Sequence, residues 1–204
     1  MRILLINPPY RAITSRRGTG EQVPLGLLSI GGPLLDDGHV VALIDAEANH
    51  LSLSETARRA SAWRPELIMT GHAGSTPAHP TVIRLAHQLK RVLPQVPIIY
   101  GGVHPTYHGR EILRDEPCID VIVRGEGERS VCLLAKAYAE EASRRLKNPL
   151  AVPCGVGNGL KMLMYTPVHC AFSPISALSG IHQKLKSGSY LRSGYLSSRL
   201  GTDR

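Results

Sequence analysis

Residues 2–10, Arg2-Ile3-Leu4-Leu5-Ile6-Asn7-Pro8-Pro9-Tyr10, decide how the chain is to be read. Four consecutive aliphatics without polar alternation suit a strand buried on both faces, as strands of a parallel sheet are. The Asn-Pro-Pro that follows removes backbone donors and ends the strand at a stiff loop. Four further apolar runs repeat the pattern at 40–44, 67–69, 97–100 and 119–123, closed by Asp45, Thr70-Gly71, Gly101-Gly102 and Arg124-Gly125. Segments with helical periodicity lie between them, at 25–35, 54–63, 80–93, a short one at 109–113, and 130–146. In 80–93, Val82, Ile83, Leu85, Ala86, Leu89 and Leu93 fall on one face and Arg84, His87, Lys90 and Arg91 on the other. Ser54 is read as the N-cap of 54–63, and Asp37-Gly38 as the stop after 25–35.

Five strands, each followed by a crossover segment, predict an α/β fold: a doubly wound, five-stranded parallel sheet, Rossmann-like, with the flavodoxin-like order 2-1-3-4-5. Ligands of such sheets bind outside the carboxyl ends of the strands, and the unusual residues of this chain collect there. Asn7, Pro8, Pro9 and Tyr10 follow strand one. Thr70, Gly71, His72, Gly74, Ser75 and Thr76 follow strand three. Gly101, Gly102, Val103, His104 and Thr106 follow strand four, and Arg124, Gly125 and Glu126 follow strand five. Glycines there let backbone amides approach a ligand, and Ser and Thr offer adaptable hydrogen bonds. Ser75 and Thr76 also suit a helix cap. Glu126 and Glu128 read as a turn into a helix rather than an acid–base pair, with Glu128 favoured by the helix N-terminus.

From residue 149 the character changes: Gly, Ser and Pro are frequent and periodicity weakens. The expected organisation is one domain over 1–148 and a basic, poorly ordered tail over 149–204. That tail carries six Lys and Arg against Asp203 alone, so it supplies +5 of the formal net charge of +8. The remainder is ordinary for a globular domain, without a basic stripe, which argues against nucleic-acid binding. No run approaches the ~18 apolar residues that cross a bilayer, and no secretory leader precedes strand one, so the expectation is a cytoplasmic protein without membrane contact. Cys118, Cys132, Cys154 and Cys170 form no CxxC or CxxxCxxC cluster and read as isolated thiols.

Five blocks carry a family resemblance: 3–9 (Ile-Leu-Leu-Ile-Asn-Pro-Pro), 24–30 (Pro-Leu-Gly-Leu-Leu-Ser-Ile), 38–46 with Gly38-His39-Val40-Val41 and Ile44-Asp45-Ala46, 101–106 (Gly-Gly-Val-His-Pro-Thr), and 123–128 (Val-Arg-Gly-Glu-Gly-Glu). Together they make the chain resemble the N-terminal B12-binding domain of cobalamin-dependent radical-SAM proteins. That group includes the anaerobic magnesium-protoporphyrin IX monomethyl ester oxidative cyclase and hopanoid-biosynthesis proteins. The resemblance implies cobalamin as cofactor, the strand-end residues above as its contacts, and a dimethylbenzimidazole tail running between strands one and three. His72 becomes a candidate lower ligand of cobalt, although a contact to a corrin amide or a neighbouring loop is the reading preferred over direct ligation.

The family's second module holds a 4Fe–4S cluster on a CxxxCxxC loop and binds S-adenosylmethionine. Nothing of that kind occurs here, so the resemblance implies a module cut off before the radical chemistry, not catalytic alone, with a radical-SAM domain or protein as partner. The DxHxxG motif of other cobalamin proteins is absent too, since Asp37-Gly38-His39 has the wrong spacing and follows a helix. A nucleotide- or flavin-binding domain, or a ligand-free regulatory one, stays open as the alternative, although no GxGxxG follows strand one.

Overall fold

A computed structural model describes residues 1–10, 23–72 and 76–143, and the backbone alone of 144–147 and 162–165. Its strands are β1 (Arg2–Asn7), β2 (Val40–Asp45), β3 (Leu67–His72), β4 (Ile98–Gly102), β5 (Val121–Arg124) and β6 (Met162–Tyr165). The helices are α1 (Leu25–Asp36), α2 (Leu53–Trp63), α3 (His79–Val92), α4 (Val103–Asp115) and α5 (Glu128–Lys147). All neighbouring strands are parallel, in the order β2-β1-β3-β4-β5-β6. The five expected strands therefore lie in the expected order 2-1-3-4-5. The sixth comes from the segment that the sequence reading leaves in the tail, pairing Val121 with Met162 through Arg124 with Tyr165. The rest of 149–204 lies outside the described residues.

The period of two along each strand sorts the core into two layers. Leu4 and Ile6 of β1 face a cluster that includes Ala57 and Ala60 of α2, Leu85 and Leu89 of α3, and Ile112 of α4. Ile3 and Leu5 face the opposite cluster, with Leu34 of α1 and Val131, Leu134 and Tyr138 of α5. Leu85 and Leu89 are 0% exposed, and burial of each contributes about 1.5–3 kcal/mol.

Three local features differ from the sequence reading, each for a physical reason. The N-cap of α2 is Ser52, not Ser54: the Glu55 amide donates to Ser52 Oγ at 3.1 Å, in a Ser-x-x-Glu arrangement. β3 runs on through Gly71 and His72, because these pair with Gly101 and Gly102 at the end of β4. α4 begins at Val103 instead of near 109, so Val103, His104 and Thr106 lie in its first turn and not in a loop. Gly102 makes the strand-to-helix turn alone, at φ +108°, a conformation costly for any residue with a Cβ. Pro105 is tolerated in that first turn, where its missing N–H would have had no helical partner.

Candidate functional site

A cavity of about 290 Å³ opens between the starts of α1 and α5, at the carboxyl ends of β3, β4 and β5. Its apolar surface comes from Met69, Ile99, Val123 and Val131, with Leu27 and Ile30 of α1. Gly71, Gly101, Gly102, Gly125 and Gly127 line the strand ends, so backbone rather than side chain bounds the opening there. The fit is tight: a Cβ on Gly71 would meet the Gly101 carbonyl oxygen at 2.7 Å. The rim is unusually apolar, with Val23 63%, Leu25 56% and Val103 49% exposed, as suits a surface that covers a large apolar ligand.

Of the residues singled out by sequence, Asn7, Thr70, Gly71, His72, Gly101, Gly102, Val103, Gly125 and Glu126 line this cavity. Thr70 Oγ1 is committed to the Ile6 carbonyl at 2.9 Å, which ties β3 to β1. Pro8 and Pro9 continue the β1 edge, and the Tyr10 ring meets the His72 imidazole edge-on, with centroids 5.1 Å apart. Arg124 and Thr106 brace the β4 and β5 ends against each other without lining the cavity. Gly74 and Ser75 lie outside the described residues.

Thr76 and His104 belong to a different place, the seam between α3 and α4. His104 Nδ1 lies 3.1 Å from Thr76 Oγ1, and its ring lies between His79, tilted by 34° at 4.2 Å, and His108, stacked at 4.6 Å. Tyr100 extends the stack from below, 6.0 Å from His79. Burial holds the His79 and His104 imidazoles below their ordinary pKa, and for His104 the neighbouring histidines push the same way.

Sequence reasoning missed the carboxylates. Asp45, the last residue of β2, and Glu47, two residues beyond it, are both 7% exposed, and Asn7 Nδ2 donates to Asp45 Oδ1 at 2.8 Å and to Glu47 Oε2 at 3.4 Å. Glu47 lines the cavity and meets His72 Nε2 at 3.3 Å. The available signal was position: Glu47 follows a strand's carboxyl end by two residues. The start of α1 likewise lines the site, through Pro24, Leu25, Gly26, Leu27, Ser29 and Ile30, although its sequence carries no ligand-binding signal of its own. The cavity opens over the ends of β3, β4 and β5, with Asn7 at the end of β1 and Glu47 after β2 at its side. Among the described residues, one trio of His, Cys, Asp or Glu has donor atoms within 4.8 Å of one another: His87, Glu116 and Cys118, beside α3 and away from the cavity.

Comparison with known proteins adds the following. The family model described as B12 binding domain matches residues 13–135. The chain is 56% identical over 137 residues to an anaerobic magnesium-protoporphyrin IX monomethyl ester cyclase of Synechocystis, covering 67% of this chain and 28% of that protein. It is 31% identical over 138 residues to the protein of the same name from Rubrivivax gelatinosus, covering 67% and 24%. The chain thus spans less than a third of the length of these curated relatives. Among solved structures it is similar to TsrM, a radical S-adenosylmethionine methyltransferase from Kitasatospora setae, determined with cobalamin and a 4Fe–4S cluster bound. The TM-score is 0.57 and the identity 21%, over 68% of this chain and 24% of that one, a likeness of fold alone.

Proposed function

The chain belongs to the B12-binding domain family, so its cofactor is cobalamin, and on that premise we propose that the cavity between α1 and α5 takes the cofactor's nucleotide tail. The observation that carries this is the cavity itself: apolar within, glycine-bounded at its mouth, and open at the carboxyl edge of a doubly wound sheet. A volume of about 290 Å³ falls just short of the range for small-molecule pockets, ~300–1,000 Å³, and suits a flat bicyclic ring with its ribose while leaving the corrin outside.

Met69, Ile99, Val123 and Val131 would exclude water from the ring. Gly71, Gly101 and Gly102 would let main chain come close, and Asn7, Glu47 and His72 would face the polar side. Tyr10, Gly125 and Glu126, at the same edge, would complete the contacts. Bound cobalamin would supply a cobalt centre for methyl transfer or, in a cyclase, for oxidation by water. His72 would approach the lower face of that centre or hold a corrin amide.

The reading extends to a partner. The four cysteines offer no CxxxCxxC loop, so a radical-SAM domain or protein of the cyclase type would bind the 4Fe–4S cluster and S-adenosylmethionine, and this chain alone would not be catalytic. The identity of 56% to the Synechocystis cyclase supports that class of partner. No nucleic acid and no membrane belongs to the reading, and no helix among the described residues is long and apolar enough to cross one. A cytoplasmic setting fits the free thiols Cys118 and Cys132. The module would end near residue 148, with β6 (Met162–Tyr165) adding an edge strand to its sheet from beyond that point.

The test is direct titration of the purified chain with hydroxocobalamin, followed by gel filtration and the visible spectrum. Stoichiometric co-elution with a base-off spectrum is expected. A chain that folds and leaves the cofactor free would sink the proposal.

A further inference from the structure

The turn between α4 and β5 holds a buried thiol beside two other ligating side chains. Cys118 is 3% exposed and belongs to the core cluster that α3 and α4 share. One donor atom each of His87, Glu116 and Cys118 lies within 4.8 Å of the other two, and His87 Nε2 stands 3.4 Å from Glu116 Oε2. The backbone fixes two of the three. The Glu116 amide donates to the Ile112 carbonyl at 2.8 Å and the Glu116 carbonyl accepts the Ile119 amide at 3.2 Å, so the Glu-Pro-Cys turn is closed at both ends. Pro117 locks one φ between the two side chains. His87 stands beside the buried stripe of α3, its side chain 48% exposed.

The spacing suits a shared cation better than a direct contact. At 3.4 Å the His87–Glu116 pair is longer than the ~2.7–3.2 Å of an N–H···O bond. Two ligands held ~2.0 Å from one tetrahedral zinc ion stand roughly 3.3 Å apart. The thiol needs roughly 3.5 Å to each by the same geometry, so closing on an ion takes small rotations of the two partly exposed side chains. Glu116 can keep its other contacts, because a carboxylate has about four acceptor sites and needs one for a metal. Lys90, one turn further along α3, does not stand in for the cation, since its Nζ is held by Asp120 Oδ2 at 2.8 Å and the Val96 carbonyl at 2.9 Å.

The donor set chooses the ion. Magnesium and calcium take oxygen ligands, whereas thiolate, imidazole and carboxylate together suit zinc, and the two anionic donors balance its charge. We propose that His87, Glu116 and Cys118 form a zinc site that clamps α3 to the turn between α4 and β5, with the fourth position open to water on the exposed side of His87. The site lies away from the cavity between α1 and α5 and does not depend on the cofactor assigned there.

Cobalt(II) is the probe, added anaerobically to the reduced, cobalamin-free full chain, because it takes zinc sites and reports thiolate ligation as a charge-transfer band in the near ultraviolet. One equivalent should give that band together with the visible bands of a tetrahedral ion, and zinc should displace it. Cys118→Ser should abolish the charge-transfer band, and Cys132→Ser should keep it. His87→Ala, at a half-exposed position, should bind at least about tenfold more weakly, the loss that even an outer partner of a metal ligand brings. Zinc should raise the thermal midpoint of the unaltered chain and leave that of His87→Ala where it was. No charge-transfer band in the unaltered chain, or one that Cys118→Ser or His87→Ala leaves at full strength and affinity, would overturn the proposal. If Cys118→Ser fails to fold, His87→Ala decides alone, since its side chain lies outside the core cluster.

Discussion

Thr106 and Arg124 lock the β4 and β5 ends of the site together: Arg124 Nε donates to the Thr106 carbonyl at 2.6 Å. The Thr106 hydroxyl works in the other direction, donating to the Gly102 carbonyl at 2.8 Å and accepting the Gly125 amide at 3.0 Å. One side chain therefore holds the first turn of α4 to both glycine corners of the cavity. Thr106→Val keeps the shape and removes both hydroxyl bonds. It should lower the urea midpoint by the equivalent of about 1 kcal/mol without changing the slope, as for partly exposed hydrogen bonds. Hydroxocobalamin should also bind more weakly, and unchanged stability and binding together would show that the corners hold without the hydroxyl.

Gly71 and Gly101 face each other across β3 and β4, and their substitution should not be equivalent. A Cβ at Gly71 meets the Gly101 carbonyl oxygen at 2.7 Å, main chain that cannot swing aside, whereas a Cβ at Gly101 finds its nearest neighbour at 3.8 Å. Gly71→Ala should cost about 1–3 kcal/mol by forcing the strand ends apart, and Gly101→Ala well under that. Paired denaturation curves check it, and equal costs would contradict the strand-end geometry.

These positions also indicate what a sequence can disclose. β1 and α3 were legible because burial on both faces leaves an uninterrupted aliphatic run, and a half-buried helix repeats its apolar residues every three or four positions. The start of α4 was not, since Gly102 and Pro105 carry loop chemistry until one knows that a single glycine makes the corner. Met162–Tyr165 is too short to show a period, and its pairing is with the edge of β5. The Glu47–His72 contact joins residues 25 positions apart on different strand ends, and only the strand order brings them together. The glycine corners of the site were readable, while its carboxylate and its α1 wall were not.

Acidity should act through the seam of α3 and α4. Burial lowers the pKa of His79 and His104 from the ordinary value of about 6.5, so the unfolded chain takes up protons there that the folded one resists. Their contribution to stability is complete above about pH 6.5 and is lost as pH falls through the lowered folded values, because the unfolded state binds more protons in that window. His79→Phe keeps an aromatic ring against Tyr100, 6.0 Å away in the stack, and removes one titrating group. Unfolding free energies measured between pH 7.5 and 5 should fall less steeply in the variant. Parallel profiles would mean that the stack does not govern the acid response.

The most discriminating prediction concerns Gly26, in the first turn of α1. It lines the cavity, yet a Cβ there would find nothing within 4 Å, so the position borders open space rather than packed core. Replacing a helical glycine also removes a backbone entropy cost of up to about 1 kcal/mol. Gly26→Ala should therefore be at least as stable as the unaltered chain and bind hydroxocobalamin nearly as well. Gly26→Phe should be comparably stable, but its ring occupies space at the entrance and should weaken binding at least about tenfold, more than 1.4 kcal/mol. A loss of binding that comes with a loss of stability would say only that the helix start was damaged, which is why the alanine variant is run beside it. Should Gly26→Phe stay folded and bind as tightly as Gly26→Ala, the nucleotide tail does not enter between α1 and α5, and the site must be sought elsewhere along the carboxyl edge.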